Sequence, residues 1–90
     1  MFNEAKSFNQ FIGNWDVRNV TTMCDMFYDT KSFNQPIGNW NFNNITNISH
    51  MFERAKAFNQ DLSKWNLSIH LNTYNIFEFC PIKEEYKPKM

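Results

Sequence analysis

The amino-acid sequence predicts an α/β repeat fold: a solenoid of three 25-residue units, each with a very short strand, a turn and a short helix. The first observation is a period, because Trp15, Trp40 and Trp65 stand 25 residues apart. The second is the likeness of the units, since residues 1–25 and 26–50 are identical at thirteen of 25 positions. A repeat of this length is typical of one supersecondary unit stacked on copies of itself.

The 90 residues divide into three units and a fragment. Chains of this size form one small domain, so no second domain is expected. We expect a single solenoid domain over residues 1–82 and a charged tail over 83–90. The repeats within the domain are 1–25, 26–50, 51–75 and a partial 76–82.

The first half of each unit predicts the strand and the turn. Residues 7–15 are too short and too rich in Asn and Gly for a helix, but residues 10–12 could pair with the same segment of the next unit as a very short strand. Gly13 and Asn14 then predict a turn with a left-handed or crowded backbone, which Gly and Asn tolerate. In a stack the repeated apolar positions would form three columns: Phe8, Phe33 and Phe58; Ile12, Ile37 and Leu62; and the three Trp residues.

The second half of each unit predicts the helix. Apolar side chains at positions 20, 23, 26 and 27 have helical spacing, and Thr21 is a suitable N-cap. We therefore expect helices over about residues 21–28 and 46–53. Residues 66–75 depart from the pattern, because His70 and Thr73 take apolar positions. A shifted helix and an extended segment both remain open there.

Composition excludes several classes of function. Nine Lys and Arg balance nine Asp and Glu, so we expect no nucleic-acid partner. Apolar runs are too short for membrane insertion, and the start of the chain does not resemble a secretory signal. The two Cys and two His residues show no metal-ligand spacing, and no catalytic motif is present. We therefore expect no metal, no cofactor and no enzymatic activity.

Asparagines at 9, 34 and 59 are identical in all three units. A structural ladder that bonds the backbone of the adjacent unit is the expected role. Positions that vary between the units are better candidates for an interaction surface, although drift at exposed sites explains them equally well. These positions are Phe11, Pro36 and Asp61, then Asp16, Asn41 and Asn66, then Arg18, Asn43 and Ser68.

The repeated string also resembles a known family. Phe-Asn-Gln-x-Ile-Gly-Asn-Trp, followed by Asn-Val/Ile-Thr-x-Met/Ile and Met-Phe, resembles the repeat of BspA-like leucine-rich-repeat surface proteins. The resemblance covers about residues 1–65 and fades across 66–80. It implies a leucine-rich-repeat-like solenoid on the cell surface or secreted, which binds other proteins or host surfaces and has no catalytic residues. This chain departs from the family in being short and in showing no signal or lipidation segment.

Two functions follow as hypotheses. The first is a non-enzymatic protein-protein interaction module whose partner is a protein. The alternative is a terminal fragment of a longer repeat array with a purely structural capping role. End-to-end self-association through the uncapped N-terminus is a further expectation, since no polar cap precedes the first unit.

Overall fold

The computed structural model describes residues 2–42, 44–67 and 71–88, and their path is built from turns. The regular element among them is a 3-10 helix, Glu84–Tyr86. Two isolated parallel bridges join Thr22 to Asn47 and Asn47 to Asn72. The predicted solenoid of strand, turn and helix is therefore wrong: the described residues contain neither the helices over 21–28 and 46–53 nor the strand over 10–12.

Alternating hydrogen bonds explain why the expected helix does not form. The Met26 N–H closes a turn onto the Met23 carbonyl at 3.1 Å, whereas the Phe27 N–H leaves the repeat and donates to the Met51 carbonyl at 2.9 Å. In an α-helix both groups would bond within the segment. A series of turns spaces apolar side chains three and four residues apart, much as a helix does, so the sequence pattern could not separate the two.

Left-handed residues set these turns and recur with the period of the sequence. None of them is Gly, although this backbone region favours Gly and is uncommon for other residues. Their φ angles lie between 53° and 61°. They occupy two positions of the repeat: Glu4, Asp29, Arg54 and Phe79 at one, and Asp25, His50 and Asn75 at the other.

The two glycines are required by crowding and not by a left-handed φ. A Cβ at Gly13 would lie 2.6 Å from the Pro36 carbonyl oxygen, and one at Gly38 would lie 2.4 Å from the Asp61 carbonyl oxygen. Neither glycine has a positive φ. The sequence predicted either a left-handed or a crowded backbone at this turn, and the crowded backbone is confirmed.

Apolar columns run through the interior, as the period predicts. Phe8 stacks on Phe33 at 5.6 Å between ring centroids, and Phe33 stacks on Phe58 at 5.9 Å. A second aromatic column includes Phe27 and Phe52, 5.4 Å apart. Ring pairs of this kind add to the free energy gained by burying their area. Ile12, Ile37 and Leu62 are all buried beside them.

The last described segment covers the third repeat. The Leu62 N–H donates to the Tyr86 carbonyl at 2.8 Å, and the Lys83 N–H donates to the Asn59 side chain at 3.0 Å. This second bond spans 24 residues, whereas the equivalent bonds between earlier repeats span 25. Ile82 is buried. Residues 68–70 lie outside the described residues, so the extended alternative for 66–75 is not decided, while the described residues 71–75 are not helical.

Candidate functional site

A groove of about 420 Å³ crosses the three repeats on one side of the molecule. The first repeat contributes Phe11, the second contributes Pro36, and the third contributes Asp61 and Lys64. Phe11, Pro36 and Asp61 share one repeat position, so the 25-residue register brings them side by side. Three of the predicted surface residues therefore lie together in one concave site.

The floor of this groove is shaped by Gly13 and Gly38. A Cβ at Gly13 would meet the Phe11 ring at 2.7 Å, so the glycine lets the ring lie close against the backbone. The outer part of the Phe11 side chain stays accessible, because the residue is 53% exposed. An exposed ring of this size beside a proline offers an apolar contact surface.

Asp61 supplies the negative charge of the groove. Its carboxylate accepts a hydrogen bond from the Ser63 N–H at 2.9 Å. Hydrogen bonds from Ser63, with a smaller contribution from the positive charge of Lys64, hold the pKa of the Asp61 carboxyl below its usual range. The groove thus presents a carboxylate at neutral pH next to two apolar side chains.

The remaining predicted surface residues do not join this groove. Asp16 and Arg18 form an exposed ion pair of 2.8 Å near the start of the stack. Asn41 and Asn66 are exposed and line neither of the grooves found among the described residues. Asn43 and Ser68 lie outside the described residues.

The asparagine ladder connects the repeats, and its structural role is confirmed. The Asn9 side-chain oxygen accepts from the Asn34 N–H, and the Asn34 oxygen accepts from the Asn59 N–H, both at 2.9 Å. Gln35 and Gln60 extend the ladder, because each donates its side-chain amide to the Asn of the preceding repeat. The three Asn side chains bond neighbouring repeats, so they are poor candidates for binding a partner.

A second groove, of about 470 Å³, is lined mainly by residues of the first repeat, and Asp16 is the predicted surface residue among them. Trp15 and Val20 line it, with Met23 and Met26. The expected end-to-end self-association through the N-terminus stays a prediction.

Further polar contacts in the described part of the chain lie within one repeat or between neighbouring repeats. His50 Nδ1 lies 2.6 Å from a Glu53 carboxylate oxygen, and the Cys24 sulfur lies 3.3 Å from the Ser49 hydroxyl. Burial raises the pKa of the Cys80 thiol. Among the described residues, no cluster of three or more His, Cys, Asp or Glu side chains could hold a metal ion. Nor does any helix there have the length and apolar character needed to cross a membrane.

The stacked 25-residue units define the class of the molecule as a tandem-repeat protein. Residues 1–87 match the family described as "Mycoplasma protein of unknown function, DUF285", and the chain belongs to that family. No curated protein and no solved structure matches the chain. The family assignment thus supports a repeat protein and leaves the function open.

Proposed function

We propose that this protein is a non-enzymatic protein-interaction module, related to the BspA-like leucine-rich-repeat surface proteins, which binds a segment of another protein in the groove across its three repeats. The observation that carries the proposal is the convergence of Phe11, Pro36 and Asp61 in one groove. The repeat stack explains the glycines beside them, but it does not require these three side chains. Sites with apolar contacts and a few placed polar groups are typical of specific binding.

The groove chemistry defines the class of segment that would bind. Phe11 and Pro36 offer apolar surface, and the Asp61 carboxylate can accept hydrogen bonds from a cation or an amide. We expect an extended segment with an apolar side chain beside a Lys or Arg residue. The site spans three repeats, so such a segment would contact several units at once.

Peptide selection on the intact 90-residue protein tests this function. A phage-displayed random peptide library would be selected against the wild type, and the recovered peptides would be measured by fluorescence anisotropy. We expect Phe11→Ala and Asp61→Asn each to weaken binding by about tenfold, the equivalent of about 1.4 kcal/mol.

Asn41→Ala and Asn66→Ala are the matched controls, because both residues are exposed and outside the groove. They should leave the affinity unchanged. If the selected peptides bind the Phe11 and Asp61 variants as tightly as the wild type, the groove is not the interaction site.

A structural capping role is the second candidate, and the last described segment favours it. Ile82 is buried and Tyr86 accepts the Leu62 N–H, so this segment closes one end of the stack. Terminal units of repeat arrays have this property. If capping were the sole role, no selected peptide would depend on Phe11 or Asp61.

We also propose a location at the cell surface or outside the cell, on the basis of the BspA-like resemblance. Labelling of intact cells with an antibody against the folded protein tests it. Staining that appears only after the cells are permeabilised would contradict a surface location.

A further inference from the structure

One side face of the stack carries a row of basic side chains. Lys6, Lys31 and Lys56 hold the same position in the three repeats, and all three are exposed, as is Arg54. Lys31 has a repeat on either side of it, and its side chain is still 44% exposed. Exposure at this position is therefore a property of the side of the stack and does not depend on either end of the chain. We call Lys6, Lys31, Arg54 and Lys56 the basic face.

Contacts at Asp29 show that cations of different repeats lie near one another. The Lys31 ammonium lies 2.8 Å from an Asp29 carboxylate oxygen. This close ammonium is the largest cause of the lowered pKa of the Asp29 carboxyl, and the positive charges of Lys6 and Arg54 lower that pKa further. One carboxylate thus interacts with cations from all three repeats.

Phe79 holds the two cations of the third repeat together. The Arg54 guanidinium carbon and the Lys56 ammonium lie 5.5 and 5.6 Å from the centroid of its ring. The three Lys residues therefore differ in their internal contacts: Lys31 pairs with a carboxylate, Lys56 lies over a ring, and Lys6 does neither among the described residues. Lys is present in every repeat although no shared contact within the protein requires it.

The charge of this face defines the chemistry of a partner. Its four cations outnumber the carboxylates of Glu4 and Asp29, which hold the Arg54 position in the first two repeats, whereas the whole chain has no net charge. Lys and Arg bind carboxylates through charge-assisted hydrogen bonds. The two carboxylates would repel a continuous polyanion such as a nucleic acid, whereas separate acidic side chains can be placed around them.

We propose that the basic face binds an acidic segment of a partner protein, an extended chain with Glu or Asp at alternate positions. Alternate side chains of such a segment lie on one side, about 7 Å apart. Rings of neighbouring repeats stack at 5.4 to 5.9 Å, and the long Lys side chains can adjust to this difference. A further repeat at either end would extend the stack and leave this side open, as Lys31 shows. The face shares no residue with the Phe11 groove, so this proposal does not depend on the function proposed above.

Nuclear magnetic resonance of the intact 15N-labelled protein tests the proposal with a synthetic Glu-Ser-Glu-Ser-Glu peptide. We expect the backbone N–H signals of Lys31 and Arg54 to shift and that of Phe11 to stay in place. The uncharged Gln-Ser-Gln-Ser-Gln peptide should bind at least about tenfold more weakly. Added NaCl should weaken binding of the Glu peptide, because ions screen exposed charges. Equal binding of the two peptides would overturn the proposal.

Variants that remove one charge locate the site. Lys6→Gln and Lys56→Gln should each weaken binding of the Glu peptide by about threefold or more. Lys64→Gln is the matched control, because it removes the same charge from the Phe11 groove, and it should leave the affinity unchanged. An equal loss for all three variants would assign the effect to net charge and would contradict a site on this face.

Asp29→Asn should change the affinity in the opposite direction. It removes a carboxylate from among the cations and releases Lys31, and Asn tolerates the left-handed backbone of this residue, whose φ is 57°. We expect binding of the Glu peptide to be at least about threefold tighter, a gain that a misfolded variant would not show. An unchanged or lower affinity, with the Trp40 indole signal in place, would contradict the proposal. Inorganic polyphosphate that binds more tightly than the Glu peptide would assign the face to a polyanion and would also overturn it.

Discussion

Three tryptophans in equivalent positions have unequal surroundings, and the difference comes from what precedes each of them. Trp40 and Trp65 lie under an earlier repeat, which buries the ring and supplies a carbonyl for the indole N–H. A buried indole N–H without such an acceptor would destabilise the folded protein. All three sites hold Trp, but the contribution of each Trp to stability depends on whether a neighbouring repeat covers it.

Replacing these rings should show the difference directly. We expect Trp40→Ala to lower the free energy of unfolding by about 3 to 5 kcal/mol, as for other buried aromatic residues. Trp15→Ala should cost only about 1 to 2 kcal/mol, because its ring is partly exposed. Urea unfolding measures both values. Equal losses would argue against the layer-dependent packing.

The Asp16 carboxyl offers a test of a single surface pair. Its hydrogen bonds with Arg18 lower its pKa to about 2. We expect Arg18→Gln to return this pKa toward 3.8, which nuclear magnetic resonance titration can follow. The folded pKa is depressed, so the pair stabilises the protein above pH 3.8, and this contribution is lost as the pH falls through about 2. The pair is exposed, so its effect on stability is small.

The Asp61 pKa serves as the control in the same titration. Hydrogen bonds from Ser63 depress it, and Arg18 is not among its causes. It should not move in the Arg18→Gln variant. A shift of both carboxyls would indicate a change of fold and not the loss of one partner.

At the scale of the element, hydrogen bonds between repeats take the place of those within a helix or a strand, and side chains make some of them. The N–H groups of alternate residues donate to the following repeat, the Asn side chains accept from the following repeat, and the Gln side chains donate to the preceding one. Asn is suited to this because the oxygen of its short side chain can accept two hydrogen bonds, as the Asn34 oxygen does. The abundance of Asn is thus explained partly by contacts between the repeats.

Removing one ladder side chain should weaken the contact between two repeats. The Asn34 oxygen accepts from the Asn59 N–H and from the Gln60 amide, so we expect Asn34→Ala to cost about 1 to 2 kcal/mol. Asn34→Asp keeps an acceptor and should cost less. Asn41→Ala, at an exposed site, should stay within about 0.5 kcal/mol. Chemical denaturation measures the free energy of unfolding of the three variants. An unchanged value for Asn34→Ala would show that the ladder does not stabilise the protein.

The glycine turns predict a second effect at this scale. Gly38→Ala places a Cβ 2.4 Å from the Asp61 carbonyl, so the backbone of the next repeat must shift, at a cost of about 1 to 3 kcal/mol. Ser63 stands at the same position of the third repeat and already carries a side chain. Ser63→Ala should therefore change the melting temperature little. A melting temperature of Gly38→Ala at or above the wild type would contradict the crowding.

For the whole molecule, neighbouring repeats contribute the hydrogen-bond partners that a single repeat does not contain. Bonds over 24 or 25 residues link each layer to the next, and the aromatic columns cross every layer. Repeat proteins of this kind are stabilised by contacts between neighbours. The two ends are unlike, because a described C-terminal segment covers one and the other exposes Trp15.

This architecture predicts an unusual spectrum with an ordinary unfolding transition. The far-ultraviolet circular dichroism spectrum should lack the pair of minima of an α-helix, because the described residues contain only a three-residue 3-10 helix. Urea should nevertheless produce one cooperative transition, as in other small single domains. A strong helical spectrum would contradict the turn-built repeats.

The site could be predicted in part from the sequence. Phe11, Pro36 and Asp61 were identified because they vary where their neighbours repeat, and the 25-residue register places them together. Asp16 and Arg18 vary in the same way, but they pair with each other, and Asp16 lines the second groove. Sequence differences between equivalent repeat positions therefore indicate which side chains the packing of the repeats does not require. They do not indicate which of these side chains line the same groove.

The sequence by itself determined the period, the inward apolar columns and the asparagine ladder, because identical units stacked in register must repeat the same contacts. Only the tertiary structure decided that turns replace the expected helix and strand. Apolar residues three and four apart satisfy both arrangements, and the choice depends on whether an N–H such as that of Phe27 finds its acceptor within the repeat or at Met51. That acceptor is 24 residues away, so local spacing could not reveal it.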